Sequence, residues 1–173
     1  IPEEIAENFL NNILNDNNVT LCGLGSRDSL RVEAGLSLYG HELSEKITPI
    51  EAGLLWAIDK ERLKDNSLNG TINLINQIET NPTKKKIGII PVNKSMIREG
   101  MNIIDYNNKI IGKVTSGCYS PILNKSIGLC YINSESNLNK EIFCKIRNNM
   151  ELLKEAKLPF VKKNYKKSGE NNE

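Results

Sequence analysis

The sequence predicts an α+β chain built in two regimes. A leading stretch of helices and turns has α/β character. A run of short antiparallel strands follows, closed as a barrel or stacked as a sandwich. Three observations carry this prediction. Apolar residues recur at helical spacing over residues 1–14 and again over 69–80. From Ile87 onward the apolar period drops to two, as in half-buried strands. Turn signals then return at short intervals, at Asn107-Asn108, Ser120-Pro121 and Asn148-Asn149, which is the rhythm of a small all-β unit. The two regimes meet between Asp65 and Lys84.

Residues 1–14 read as an amphipathic helix with Pro2 in the first turn and Glu3 and Glu4 where acids suit the dipole. Ile5, Phe9, Ile13 and Leu14, flanked by Ala6 and Leu10, form one broad apolar stripe that needs a sheet to lie on. Residues 19–22, Val-Thr-Leu-Cys, read as a strand supplying that sheet, as in a layered α/β domain. Gly23-x-Gly25 then makes a tight turn, Ser26 caps a short helix, Asp28 lies in its first turn, and Gly35 ends it. Leu30 and Ala34 share a face of this helix. Arg27 is the odd residue, because a cation near a helix N-terminus opposes the dipole. Its planar fork of donors calls either for a carboxylate, such as Asp28 or Glu33, or for a ligand.

Thr48-Pro49-Ile50-Glu51 has the form of a capping box that starts a helix. The apolar residues 54–58 read as a strand with Trp56 in the core. Residues 59–65 are a charged surface turn. Residues 69–80 form a helix through Ile72, Leu74, Ile75 and Ile78, stopped by Asn81-Pro82. Lys84-Lys85-Lys86 reads as a solvated face, with a docking patch for an acidic partner as the rival. Strands are expected at 87–92, 101–106, 109–118, 127–132, 141–147 and 150–156, with a loop at 93–100.

Charge and composition narrow the function class. Lys and Arg number 23 against 21 Asp and Glu, a net charge of +2, too balanced to argue for nucleic acid or a membrane surface. Aromatic content of 5% leaves few stacking platforms for a nucleic-acid barrel. Asn is abundant, and its scatter through turns and helix surfaces reads as compositional bias. The four cysteines show no Cys-x-x-Cys spacing and His41 is the single histidine, so no metal site is expected; each cysteine reads as a buried free thiol. No apolar run approaches the ~18 residues of a membrane helix. No targeting segment is visible, and the chain reads as starting within a domain.

The run Gly-Leu-Gly-Ser-Arg-Asp-Ser-Leu-Arg-Val-Glu-Ala-Gly-Leu-Ser-Leu-Tyr-Gly, residues 23–40, resembles the signature of the aminomethyltransferase family, the T-proteins of the glycine cleavage system; Val32 stands where Leu is usual. The Thr-Pro-x-Glu-x-x-x-x-Trp pattern at 48–56, Ile-Gly-Lys-Val-Thr-Ser-Gly at 111–117 with Ser120-Pro121-Ile122-Leu123, the strand at 127–132, and Pro-Phe-Val-x-x-Asn-Tyr at 159–165 resemble the same family. The likeness covers residues 5–165. Its departures are Tyr119 for a common Pro and Lys166 for a second Tyr.

The resemblance implies the C-terminal part of a folate-binding α/β domain in residues 1–64, a connecting helix and linker in 65–83, a C-terminal antiparallel β-barrel in 84–167, and a disordered tail in 168–173. It implies transfer of a methylene unit from the aminomethyl-lipoyl arm of H-protein to tetrahydrofolate, with release of ammonia. With the cysteine spacing and charge balance above, no metal, no nucleic acid and no membrane is expected. The resemblance places the protein in the mitochondrial matrix of a eukaryote or the cytoplasm of a bacterium. The family's catalytic Asp and pterin-reading Glu match nothing here, so they are expected upstream. Arg27 matches the family Arg at the folate or substrate site, Tyr165 the tail Tyr that reaches the same site, and Tyr39 its border. Arg31 and Glu33 are expected to pair with each other, and His41 to be a surface histidine without a partner.

Two other readings keep the fold and change the role. One is a folate-binding accessory protein of the iron–sulfur assembly type. Those proteins carry Lys-Gly-Cys-Tyr/Phe-x-Gly-Gln, whereas here Gly117-Cys118-Tyr119 runs into Ser120-Pro121. The other is the folate half of a dimethylglycine- or sarcosine-type dehydrogenase, which a flavin domain upstream would mark.

Overall fold

A computed structural model describes residues 1–59, 61–65, 68–136, 141–146, 149–162 and 164. Among the described residues three α-helices precede six strands: α1 (Glu3–Leu14), α2 (Leu24–Glu33), α3 (Thr71–Thr80), β1 (Lys84–Pro91), β2 (Asn102–Asp105), β3 (Ile110–Ser120), β4 (Lys125–Asn133), β5 (Ile142–Ile146) and β6 (Asn149–Ala156). The strands close into an antiparallel barrel in the order β1-β4-β3-β2-β5-β6, with β6 returning to β1. Closure removes the exposed edges that an open sheet of this size would present. The α+β class and the barrel therefore stand as expected, and the sandwich alternative falls.

The barrel interior is filled by Ile89, Ile103, Val114, Ile132, Cys144 and their neighbours, all buried. Strand β4 is buried on both faces. Cys130 and Ile132 point into the barrel, while Ile127 and Leu129, one residue out of phase, meet Val32 of α2. That second layer, completed by Leu158 and Phe160, joins the leading segment to the barrel. Gly117 of β3 allows the 93–100 loop to pass. A Cβ there would stand 2.5 Å from the Ile97 carbonyl oxygen, closer than any side chain tolerates.

The leading segment departs from expectation in several places. Residues 19–22 are irregular, not a strand, and no strand occurs among the described residues before β1. Without that sheet, α1 buries none of its residues, and Phe9 is 48% exposed. Pro2 precedes α1 as its cap residue. Helix α2 begins at Leu24 with Gly23 as its cap, so Ser26 lies inside it and donates its hydroxyl back to the Gly23 carbonyl (2.8 Å). The C-terminus ends as the glycine predicts. Gly35 takes φ +68°, its N–H reaches the Val32 carbonyl, and the Leu36 N–H reaches that of Arg31.

The Thr48–Glu51 box forms, with Thr48 N–H to Glu51 Oε2 at 2.9 Å and Glu51 N–H to Thr48 Oγ1 at 3.2 Å. It closes one turn only, because Gly53 at φ +70° reverses the chain before a helix can propagate. Residues 55–57 form a 3₁₀ turn, not a strand, and Trp56 is 82% exposed, not core. Helix α3 packs through Thr71, Leu74, Ile75 and Gln77, leaving Ile72 and Ile78 exposed, because its inner face follows the helical period and not the every-third-residue repeat of isoleucines. The lysine run is not a free solvated face. It opens β1, where pairing with β4 half-buries all three side chains.

Candidate functional site

Helix α2 carries the site. Its inner face, through Val32, lies on β4, and its outer face looks into a cleft of about 880 Å³. Leu24, Leu30 and Leu36 form one wall, and Ile122 with Val161 forms another. The chain returns to this cleft because the Val161 N–H donates to the Glu33 carbonyl at 3.1 Å. That bond brings Lys162 and Asn164 to the rim. A second, smaller cavity of about 270 Å³ surrounds the β2–β3 turn, between Asp105, Lys109 and Glu135, remote from α2.

Arg27 lines the cleft and is exposed. Among the described residues no carboxylate pairs with it. The acids expected to neutralise it are engaged elsewhere. Asp28 pairs with Arg31 at 2.7 Å. Glu33 is buried and accepts the Ser120 hydroxyl of β3. The expected Arg31–Glu33 pair is thus absent, since positions two apart on a helix lie about 200° round from each other, and here one side chain runs to Glu42 and the other to Ser120.

Beneath Arg27 lies a buried polar knot that the sequence did not disclose. Glu42 is fully buried. Its Oε2 accepts Arg31 Nη1 at 2.7 Å and the Leu38 N–H at 3.1 Å. Its Oε1 accepts the hydroxyls of Thr115 and Ser116, each at 2.6 Å. Arg31 Nη2 donates to the same Ser116 oxygen at 2.7 Å, and the Tyr131 hydroxyl donates to the Glu42 carbonyl at 2.9 Å. Burial, with Glu42 and Glu51 nearby, pushes the Tyr131 phenol up, so it stays a donor at neutral pH. Lys86 Nζ reaches Ser37 Oγ at 2.6 Å, and burial pulls its ammonium down against the opposing pull of Glu42. The one available signal in the sequence was Thr115-Ser116 within a strand, since a buried hydroxyl needs a partner.

The other candidates are dispersed. Tyr39 is 70% exposed in the 38–43 turn, where it bridges to Leu43, and it is not among the residues lining the cleft. Tyr165 lies outside the described residues. His41 has a partner after all, with its Nδ1 3.1 Å from Glu99 Oε2. Cys22 is exposed, not buried, and lines the cleft. Cys118 is half-buried in β3, and burial together with Asp28 and Glu33 pushes its thiol up to about 11. A protonated thiol at neutral pH is a poor nucleophile or metal ligand. Among the described residues no cluster of metal-ligating side chains occurs, and no helix is long and apolar enough to cross a membrane.

Comparison with known proteins accounts for both regimes. Residues 1–62 match the model described as the GCVT N-terminal domain, and residues 84–162 match the glycine cleavage T-protein C-terminal barrel domain. The mitochondrial aminomethyltransferase of Dictyostelium discoideum is 41% identical over 94% of this chain and 41% of its own length. That of Flaveria trinervia is 38% identical over 96% of this chain and 42% of its own. The aminomethyltransferase of Staphylococcus saprophyticus is 40% identical over 86% and 39%. The chain thus spans about two fifths of the length of these relatives. The crystal structure of the glycine cleavage system aminomethyltransferase T from Bartonella henselae matches with a TM-score of 0.86 at 31% identity, over 96% of this chain and 46% of that one. With both family models matched in order along one sequence, the chain belongs to the glycine cleavage T-protein, or aminomethyltransferase, family.

Proposed function

We propose that this chain forms the C-terminal part of a tetrahydrofolate-dependent aminomethyltransferase of the glycine cleavage system. The reaction moves a methylene unit from the aminomethyl-lipoyl arm of H-protein to tetrahydrofolate and releases ammonia. The observation that carries the reading is Arg27: a guanidinium without a carboxylate partner among the described residues, at the rim of an apolar cleft. Leucine and isoleucine walls suit a flat aromatic ring system, and an unneutralised Arg with Lys162 suits carboxylates attached to it. Tetrahydrofolate combines a pterin with a glutamate tail and so fits this donor set. Tyr165 and Tyr39 are proposed to complete the folate side. The catalytic carboxylate is proposed to come from outside this chain, since the buried acids described here are committed to internal bonds. The protein would work in the mitochondrial matrix of a eukaryote or the cytoplasm of a bacterium, in line with the mitochondrial names of its Dictyostelium and Flaveria relatives.

Arg27→Ala in the complete transferase tests the reading. A lost charge-assisted hydrogen bond, worth about 1.5–3 kcal/mol, raises the Kd for tetrahydrofolate roughly 10- to 100-fold while the thermal midpoint stays near that of the parent. Unchanged affinity by calorimetry would overturn it.

A further inference from the structure

The geometry points to Glu42 as a positioning residue that holds α2 against the barrel in the rotation that aims Arg27 into the cleft. The inference rests on the folate reading of that cleft and deepens it. Arg31 follows Arg27 by one helical turn, so whatever fixes Arg31 fixes the azimuth of Arg27. Arg31 is gripped at both ends of its fork: Asp28 on its own helix at 2.7 Å, and Glu42 on the following turn at 2.7 Å. Glu42 is in turn tied to the barrel by Thr115 and Ser116 of β3 and to its own loop by the Leu38 N–H. One fully buried carboxylate therefore joins helix, loop and barrel. The Glu33–Ser120 contact pins the C-terminal end of α2 to the same strand, four residues along. A rotation by one residue, about 100°, would re-aim Arg27, and the Glu42 contact is the tie lying nearer to it.

The test is a double-mutant cycle in the complete transferase, read by calorimetric titration with tetrahydrofolate. Glu42→Gln keeps the shape and removes the charge that fixes Arg31. It is expected to weaken binding about tenfold in the parent background and less than about twofold where Arg27 is already Ala. Ser116→Ala, which leaves both charges in place, is expected to give a smaller loss with the same dependence on Arg27. Equal losses in both backgrounds would show that Glu42 serves the fold and not Arg27, and would overturn the inference. If Arg27→Ala by itself leaves affinity unchanged, the folate reading falls. Glu42 is then judged by amide hydrogen exchange in its Gln variant. Faster exchange in residues 27–34 with the strands unchanged supports the clamp, and unchanged exchange in α2 overturns it.

Discussion

At the scale of single residues, burial and charge set the chemistry of the thiols apart. Cys22 is exposed, Cys118 is half-buried, and Cys130 and Cys144 are enclosed in the barrel. Desolvation raises all three of the latter, and Asp28 and Glu33 add to it at Cys118. Thiol labelling of the native protein at pH 8 is therefore expected to modify Cys22 first, with Cys118 lagging by more than tenfold until the pH nears 11. Equal rates at Cys22 and Cys118 would contradict this ordering. The same shift has a stability sign. The Cys118 thiol stands above its ordinary value of 9.0 in the folded chain, so the folded form holds the proton longer. Its contribution is complete below pH 9 and is lost as the pH rises through about 11. Lys86 acts oppositely. Its ammonium is pulled below 10.5, so its share of stability grows with pH up to that value.

At the scale of elements, α1 and α2 have the same look in sequence and different fates. Both are short, and neither is long enough to be stable by propensity alone. Helix α2 has Val32 buried at 0% exposure and Glu33 at 3%, with bonds from Arg31 and Glu33 into β3. Helix α1 buries nothing, and Ile5, Phe9, Leu10 and Ile13 all remain exposed. In the 173-residue chain the amides of α1 are expected to exchange at least about a hundredfold faster than those of β4, the scale set by local opening against near-global unfolding. Comparable protection in the two elements would mean that the apolar face of α1 is covered in solution.

At the scale of the whole molecule, the barrel closes on its own core and needs nothing further to complete its sheet. The proposed transferase site is another matter, because the cleft beside α2 presents Arg27 and no uncommitted buried acid among the described residues. The 173-residue chain alone is therefore expected to fold around its barrel yet transfer no methylene from aminomethyl-loaded H-protein to tetrahydrofolate. An assay following methylenetetrahydrofolate would reveal turnover, and turnover would refute the proposal that the catalytic acid lies elsewhere.

Local chemistry was legible in the residues themselves. A period of two from Ile87, punctuated by Asn107-Asn108 and Ser120-Pro121, marks strands because side chains alternate across a sheet. Gly35 ends α2 because only glycine enters the left-handed region freely. The same local signals misled where a neighbour was missing or unforeseen. Thr48–Glu51 caps a turn that Gly53 stops, Trp56 is left in solvent, and residues 19–22 pair with no strand among the described residues. What tertiary structure alone decided is that Arg27, whose partner the residues left open between a carboxylate and a ligand, has no carboxylate partner among the described residues. Asp28, the acid beside Arg27, is taken by Arg31, whose own fork is also held by Glu42, 11 positions away, and Ser116, 85 positions away. Spacing along a chain reports contacts within a few residues; a buried charge is satisfied by whatever the fold brings to it, and only the closed barrel brings β3 under α2.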